Sequence, residues 1–185
     1  MRVVAGEAKG RALRSPPASV TRAATDRVRQ SLFGILEPVL EDARVLDLYA
    51  GAGTLGIEAL SRGAAHATFV ERDAAALRAL RSNVDVTGMA SRARVVARNV
   101  GGFLEAAGGP YDVVFCDPPF ADVEGLASTL AHPGLEGALA PDALVIARAL
   151  RKHLPPLPAS ARLEREKRIG EESLLFLRYD RDRPD

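Results

Sequence analysis

Apolar positions along this chain recur with two different periods, and the change between them divides it. Short part-apolar runs at 2–5 and 11–14, separated by Gly6 and Gly10, predict a small hairpin. Ser15-Pro16-Pro17-Ala18-Ser19 interrupts the pattern as a stiff linker. Thr25 then stands where a cap belongs, before a helix that carries Val28, Leu32, Phe33, Ile35 and Leu36 on one face; Pro38 kinks or ends it. From Arg44 onward, buried-strand runs alternate with helical segments. Strands are predicted at 45–49, 67–70, 94–97, 113–116 and 143–146, and helices at 54–61 and 73–86, the second with Leu77, Leu80 and Val84 aligned. Repeated strand-helix units predict a mostly parallel sheet with helices on both faces. After Pro155-Pro156-Leu157-Pro158 the helical pattern stops, and runs at 162–169 and 173–179 around Gly170 predict a closing antiparallel hairpin. The expected fold is α/β with seven strands: a body over residues 25–185 and a hairpin extension over residues 1–24.

Bulk properties narrow the class. With 185 residues, 47% apolar and 26% charged, the chain can bury a single domain core. No apolar run is long enough to span a bilayer or serve as a signal peptide, so the cytoplasm is the expected compartment. A lone cysteine, Cys116, excludes an internal disulfide framework, and His66, His132 and His153 lack metal-ligand spacing, so no metal is expected. The net charge of +1 hides an uneven distribution. Residues 1–30 carry seven basic and two acidic side chains, residues 31–147 eight and fifteen, and residues 148–185 ten and seven. A basic arm on an acidic body predicts a polyanionic partner gripped through Lys9, Arg11, Arg14, Arg22, Arg27 and Arg29. Such contacts position a substrate without choosing a base.

Candidate chemistry lies at two strand ends. Asp47-Leu48-Tyr49-Ala50-Gly51-Ala52-Gly53-Thr54-Leu55-Gly56 places G-x-G-x-x-G between a strand and a helix. Glu71, eighteen residues beyond Gly53, ends the next strand, where a carboxylate can accept ribose hydroxyls. A nucleoside-containing cofactor follows, and two kinds compete. A dinucleotide sets its pyrophosphate at the helix N-terminus. Asp47 would repel that anion but attract an amine or sulfonium, and S-adenosylmethionine carries both. An NAD-dependent oxidoreductase stays open on the glycines alone.

The second strand end is Val113-Val114-Phe115-Cys116 followed by Asp117-Pro118-Pro119-Phe120. Two prolines stop the strand and leave their carbonyls free. A carboxylate and a rigid carbonyl can both accept from one –NH2 group while an aromatic ring stacks on the base that carries it. That suits chemistry on the exocyclic amine of a nucleobase.

DLYAGAGTLGIEALSRGA, the acidic end of FVERD, and FCDPPF together resemble the class I S-adenosylmethionine-dependent methyltransferases that modify amines. RVVAGEAKGRAL and TRAATDRVRQSLFGIL narrow the resemblance to the RsmD family, bacterial small-subunit rRNA guanine-N2 methyltransferases. The resemblance implies a Rossmann-like fold that acts on 16S rRNA, in the small subunit or an assembly intermediate, and a monomer. It places S-adenosylmethionine, or the product S-adenosylhomocysteine, on Asp47, Tyr49, Gly51, Gly53, Thr54, Glu71, Arg72, Asn99 and Val100. Asp47 would orient the methionine amine, directly or through water, and Glu71 the ribose. Asn99 would bond the adenine amine or cap the next helix, and Arg27 would meet a carboxylate or phosphate or pair with Glu58. The catalytic set would be Asp117, Pro118, Pro119 and Phe120. Two departures stand out: Ala23-Ala24-Thr25-Asp26-Arg27 where the family has Pro-Thr-Thr-Asp-Arg, and Ala147-Arg148-Ala149 where the fifth strand commonly ends in acidic residues. An adenine-N6 DNA methyltransferase and a non-catalytic ribosome-assembly factor are the alternatives.

Overall fold

The computed structural model describes residues 1–16 and 24–180, so Pro17-Ala18-Ser19 of the linker and Arg22 lie outside the described residues. Among the described residues seven strands form one sheet: β1 (Arg44–Leu48), β2 (His66–Glu71), β3 (Ala93–Ala97), β4 (Tyr111–Cys116), β5 (Leu139–Leu150), β6 (Ala161–Ile169) and β7 (Glu172–Tyr179), in the order β3-β2-β1-β4-β5-β7-β6. The first five run parallel, and β7 lies antiparallel between β5 and β6.

Alternation along the strands builds two cores. Val45, Phe69, Phe115, Ile146 and Phe176 meet Leu32, Phe33 and Leu36 of α1 (Asp26–Leu40), Ile57 and Leu60 of α2 (Thr54–Ser61), and Leu77 and Leu80 of α3 (Ala74–Val86). Leu46, Leu48, Val70, Val114 and Val145 meet the opposite layer, with Phe103 and Leu104 of α4 (Val100–Leu104), Leu126 and Leu130 of α5 (Val123–Leu130), and Leu135 of α6 (Pro133–Gly137). Such two-sided burial is what near-continuous apolar strands require.

Several elements differ from the pattern. The α1 helix passes Pro38 and ends at Leu40, with Thr25 as its cap (Oγ1 accepts from Val28 N–H). Strand β5 begins four residues earlier than expected, because the exposed Pro141 and Asp142 mask a strand whose register shifts opposite Tyr111 and Val113. The short α5 and α6 were not foreseen; their signals were the caps Asp122 and His132, with Pro133 opening α6.

The predicted N-terminal hairpin is short: Arg2 bridges Ala12 antiparallel, and the N–H groups of Val3 and Leu13 donate to the carbonyls of Arg11 and Met1 at 3.0 and 2.9 Å. It is sewn to the body. Val3, Ala8 and Leu13 are buried in the core. Glu58 of α2, fully buried, accepts the N–H groups of Val4 (2.8 Å) and Ala5 (3.0 Å) and the Nε of Arg62 (2.8 Å). At Gly6, φ is +81° and a Cβ would sit 1.7 Å from the Ser61 carbonyl oxygen, so only glycine fits.

Candidate functional site

Strands β1 and β4 are sheet neighbours from which the chain departs in opposite directions, and in such sheets ligands bind beyond the carboxyl ends at that switch point. A cavity of about 830 Å³ opens there, within the usual range for cofactor sites. It is lined by Asp47, Tyr49, Gly51, Thr54, Glu71, Arg72, Asn99, Val100 and the whole run Asp117-Pro118-Pro119-Phe120. The two strand-end motifs, seventy residues apart, thus face one space.

Its floor is acidic. Asp47 is 1% exposed and accepts the Gly56 N–H at 3.0 Å through Oδ2. Burial pushes its pKa up to about 8, with the nearby Asp117 and Glu71 adding to the rise and the Gly56 N–H opposing it. Glu71 is held by backbone: Oε2 accepts from Gly51 N–H at 2.8 Å, and Oε1 from the N–H groups of Arg72 and Asp73, both at 2.7 Å. Two carboxylate oxygens offer about four acceptor sites, so one remains on Oε2 for a ligand hydroxyl.

The glycines divide their work. Gly51 lines the cavity with φ +54° and hands its N–H to Glu71. Gly53, expected to admit the cofactor, does not line the cavity; it caps α2 with φ +80°, and a Cβ there would meet Leu80 Cδ1 at 2.3 Å. Its requirement is internal packing and a left-handed backbone. Gly56 has the same kind of reason, since a Cβ would lie 2.3 Å from the Phe69 ring. Asn99 is an N-cap, its Oδ1 accepting from Gly102 N–H at 2.7 Å, and it also lines the cavity, leaving its amide nitrogen available to a ligand. Tyr49, with φ +67°, turns the chain out of β1 and bonds Thr129 Oγ1 at 2.6 Å through its hydroxyl.

The Asp117-Pro118-Pro119-Phe120 run sits on the rim. Pro118 is buried and Pro119 exposed. The Pro119 carbonyl is not free as expected: it accepts the Asp122 N–H at 2.8 Å and closes the turn, so the Pro118 carbonyl is the one left for a substrate. Burial raises the pKa of Asp117 to about 6, Glu172 adds to the rise, and Arg148 pulls against it. Arg148, only 5% exposed, lies with its Nε 2.8 Å from Asp117 Oδ1 and its guanidinium 4.8 Å from the centre of the Phe120 ring. Sequence reading missed it as a site residue; the one available signal was its departure from the acidic end usual in that strand. Arg98, Asp73 and Asp122 also line the cavity without having been foreseen. Among the described residues no group of three or more His, Cys, Asp or Glu side chains could hold a metal ion, and no helix is long and apolar enough to cross a membrane.

The basic set separates. Lys9, Arg11, Arg14 and Arg27 are exposed. Arg29 is not available to a phosphate: it is fully buried, with Nη2 donating to Asp26 Oδ1 at 2.6 Å and to the Arg2 carbonyl at 2.8 Å. Its place on the apolar face of α1, beside Val28 and Leu32, turns it inward. Arg27 does not pair with Glu58, which is already committed to the N-terminal turn and Arg62.

A protein family described as conserved hypothetical protein 95 matches residues 1–178. Ribosomal RNA small subunit methyltransferase D of Escherichia coli (strain K12) is 43% identical over 173 residues, 92% of this chain and 86% of that protein. The chain belongs to the RsmD family. Solved structures agree with that membership. The putative methyltransferase yhhF of Escherichia coli superposes with a TM-score of 0.84 at 40% identity, covering 97% of this chain and 98% of that one. A hypothetical protein of Thermus thermophilus gives 0.80 at 34% identity, over 95% and 98%. The RsmD likeness therefore runs through both cores, the N-terminal turn and the cavity.

Proposed function

We infer that this chain transfers a methyl group from S-adenosylmethionine to the exocyclic N2 of a guanine in 16S rRNA, as a single copy in the cytoplasm, within the small subunit or an assembly intermediate. The observation that carries the reading is the shared cavity: an acidic floor suited to a cationic nucleoside and an amine-accepting rim open onto one another. The residues fit the cofactor. Asp47, buried and reluctant to ionise alone, matches an amine or sulfonium cation, and the remaining acceptor on Glu71 matches a ribose hydroxyl. Asn99 and Val100 would border the adenine, and Tyr49, Gly51, Thr54 and Arg72 the rest. Membership in the RsmD family supports the RNA substrate, and the exposed Lys9, Arg11, Arg14 and Arg27 supply contacts for its phosphates.

S-adenosylmethionine supplies an electrophilic methyl group on sulfur. The N2 lone pair of guanine is delocalised into the ring and is a poor nucleophile, so the protein must orient and polarise it. Asp117 and the Pro118 carbonyl accept the two amine hydrogens and draw the nitrogen toward tetrahedral geometry. Phe120 stacks on the extruded base, which is out of reach inside a helix. As the N–C bond forms and the S–C bond breaks, positive charge builds on nitrogen beside the Asp117 carboxylate. The excess proton then leaves to Asp117 or to water.

The test is transfer of labelled methyl from S-adenosylmethionine to unmethylated small-subunit particles, naked 16S rRNA and duplex DNA, with the product nucleoside identified by mass. N2-methylguanosine in rRNA is expected. N6-methyladenosine in DNA would overturn the substrate, and tight cofactor binding without transfer to any of the three would overturn the activity.

A further inference from the structure

A buried arginine in the middle of a sheet is costly unless charges and hydrogen bonds surround it. Strand register explains why Arg148 can stand there. Cys116 of β4 pairs with Ala147 of β5, which brings Asp117 alongside Arg148. On the other side Arg148 pairs with Leu174 of β7, and Glu172, two residues away, shares that face. Two acids, one just past β4 and one on β7, therefore flank one cation, with Arg148 Nη1 3.8 Å from Glu172 Oε2 and Nε 2.8 Å from Asp117 Oδ1. The two oxygens of a carboxylate offer about four acceptor sites, so this pairing leaves Asp117 able to take a further donor. The same guanidinium lies over Phe120 at a cation-π distance, and Phe120 also lines the cavity.

We propose that Arg148 is the positioning residue of the methyl-acceptor site: braced by Glu172, its guanidinium fixes the Asp117 carboxylate and backs the Phe120 ring together. One cation thereby sets both arms of the clamp, the acceptor that meets the amine and the ring that meets the base. The inference rests on the reading of Asp117 to Phe120 as that clamp. Arginine suits the task because its planar fork pairs and stacks at once, which a lysine cannot do.

The groups that face Asp117 are Arg148 from β5, Glu172 from β7, Asp47 from β1 and the thiol of Cys116 at the end of β4. Arg148 favours the ionised carboxylate and Glu172 opposes it. Two neutral substitutions must therefore act with opposite sign. In Arg148→Gln the acid limb of the kcat profile, read from roughly pH 5 to pH 9, moves to higher pH; in Glu172→Gln it moves to lower pH. Arg148→Gln also lowers kcat by about 10- to 100-fold, while the Kd for S-adenosylhomocysteine stays within about 3-fold. Arg148→Lys restores the position of the limb but only part of kcat. A 13C NMR titration of the Asp117 carboxyl in the three variants and the wild type carries the same test without turnover. Midpoints that do not move in opposite directions, or a kcat that falls only in step with the folded fraction, would overturn the role of Arg148. If Arg148→Gln does not fold, Arg148→Lys and Glu172→Gln still decide it. A wild-type protein that methylates no rRNA would defeat the functional reading instead, and the carboxyl titration would still judge this one.

Discussion

Burial makes the Asp47 carboxylate reluctant to ionise on its own. Its pKa in the fold, about 8, lies above the ordinary 3.8, so it contributes stability that is fully present below 3.8 and lost as pH rises through about 8. A ligand ammonium group placed beside it, such as that of S-adenosylhomocysteine, reverses that loss by favouring the ionised form. S-adenosylhomocysteine should therefore bind more tightly as pH rises toward 8 and release protons on binding, which calorimetry in buffers of different ionisation enthalpy measures. Asp47→Asn should weaken that binding and abolish its pH dependence. In the absence of ligand, the same variant should melt roughly 2–8 °C above the wild type at pH 9, with the gap closing at low pH. On the function proposed above, Asp117 serves the other half of the cavity. Asp117→Ala should leave the Kd for S-adenosylhomocysteine within about 3-fold and lower kcat by roughly 1,000-fold or more. Weakened binding with proportionate residual turnover would contradict its place at the acceptor.

At the scale of the element, the Gly-rich turn is a structural device before it is a binding one. Gly51 presents an N–H that anchors Glu71, while Gly53 and Gly56 let α2 settle against Leu80 and Phe69. Gly53→Ala should cost about 1–3 kcal/mol in urea denaturation, because it combines a left-handed φ with a collision at Leu80. Asn83 of α3 extends this coupling. Its Oδ1 accepts from the Arg14 N–H at 2.7 Å, and its Nδ2 donates to the carbonyls of Arg14 and Ala52, both at 2.9 Å. One buried amide thus joins the basic N-terminal segment to the turn that borders the cavity.

For the whole molecule, charge and architecture are arranged at different places. The acidic body holds the cavity, and the exposed Lys9, Arg11, Arg14 and Arg27 lie near the N-terminal end of the chain. A Lys9→Gln/Arg11→Gln/Arg14→Gln variant should bind 16S rRNA more weakly. Its slope of log K against log salt should be shallower by about 0.7–0.9 for each phosphate that is no longer neutralised, with S-adenosylhomocysteine binding unchanged. Filter binding over a salt series checks this. An unchanged slope would remove the N-terminal turn from the RNA interface.

Local pattern alone determined a great deal here. Alternation of apolar runs with helical periods was enough for the parallel body, the closing hairpin, the Thr25 cap and both strand-end motifs, because each depends on a few adjacent residues. The unforeseen features were of another kind. Arg29 read as a surface cation and Arg148 as a departure at the end of the fifth strand, and both prove buried, because burial depends on which strands and turns lie opposite. Pro141 and Asp142 hid the first third of β5, since an irregular register has no signature along one strand. Gly53 matched a ligand-binding position by spacing but packs on Leu80, a neighbour twenty-seven residues away. Spacing along the chain decided which residues reach a strand end; only the packing of β4, β5 and β7 decided that an arginine, two acids and a ring would meet there.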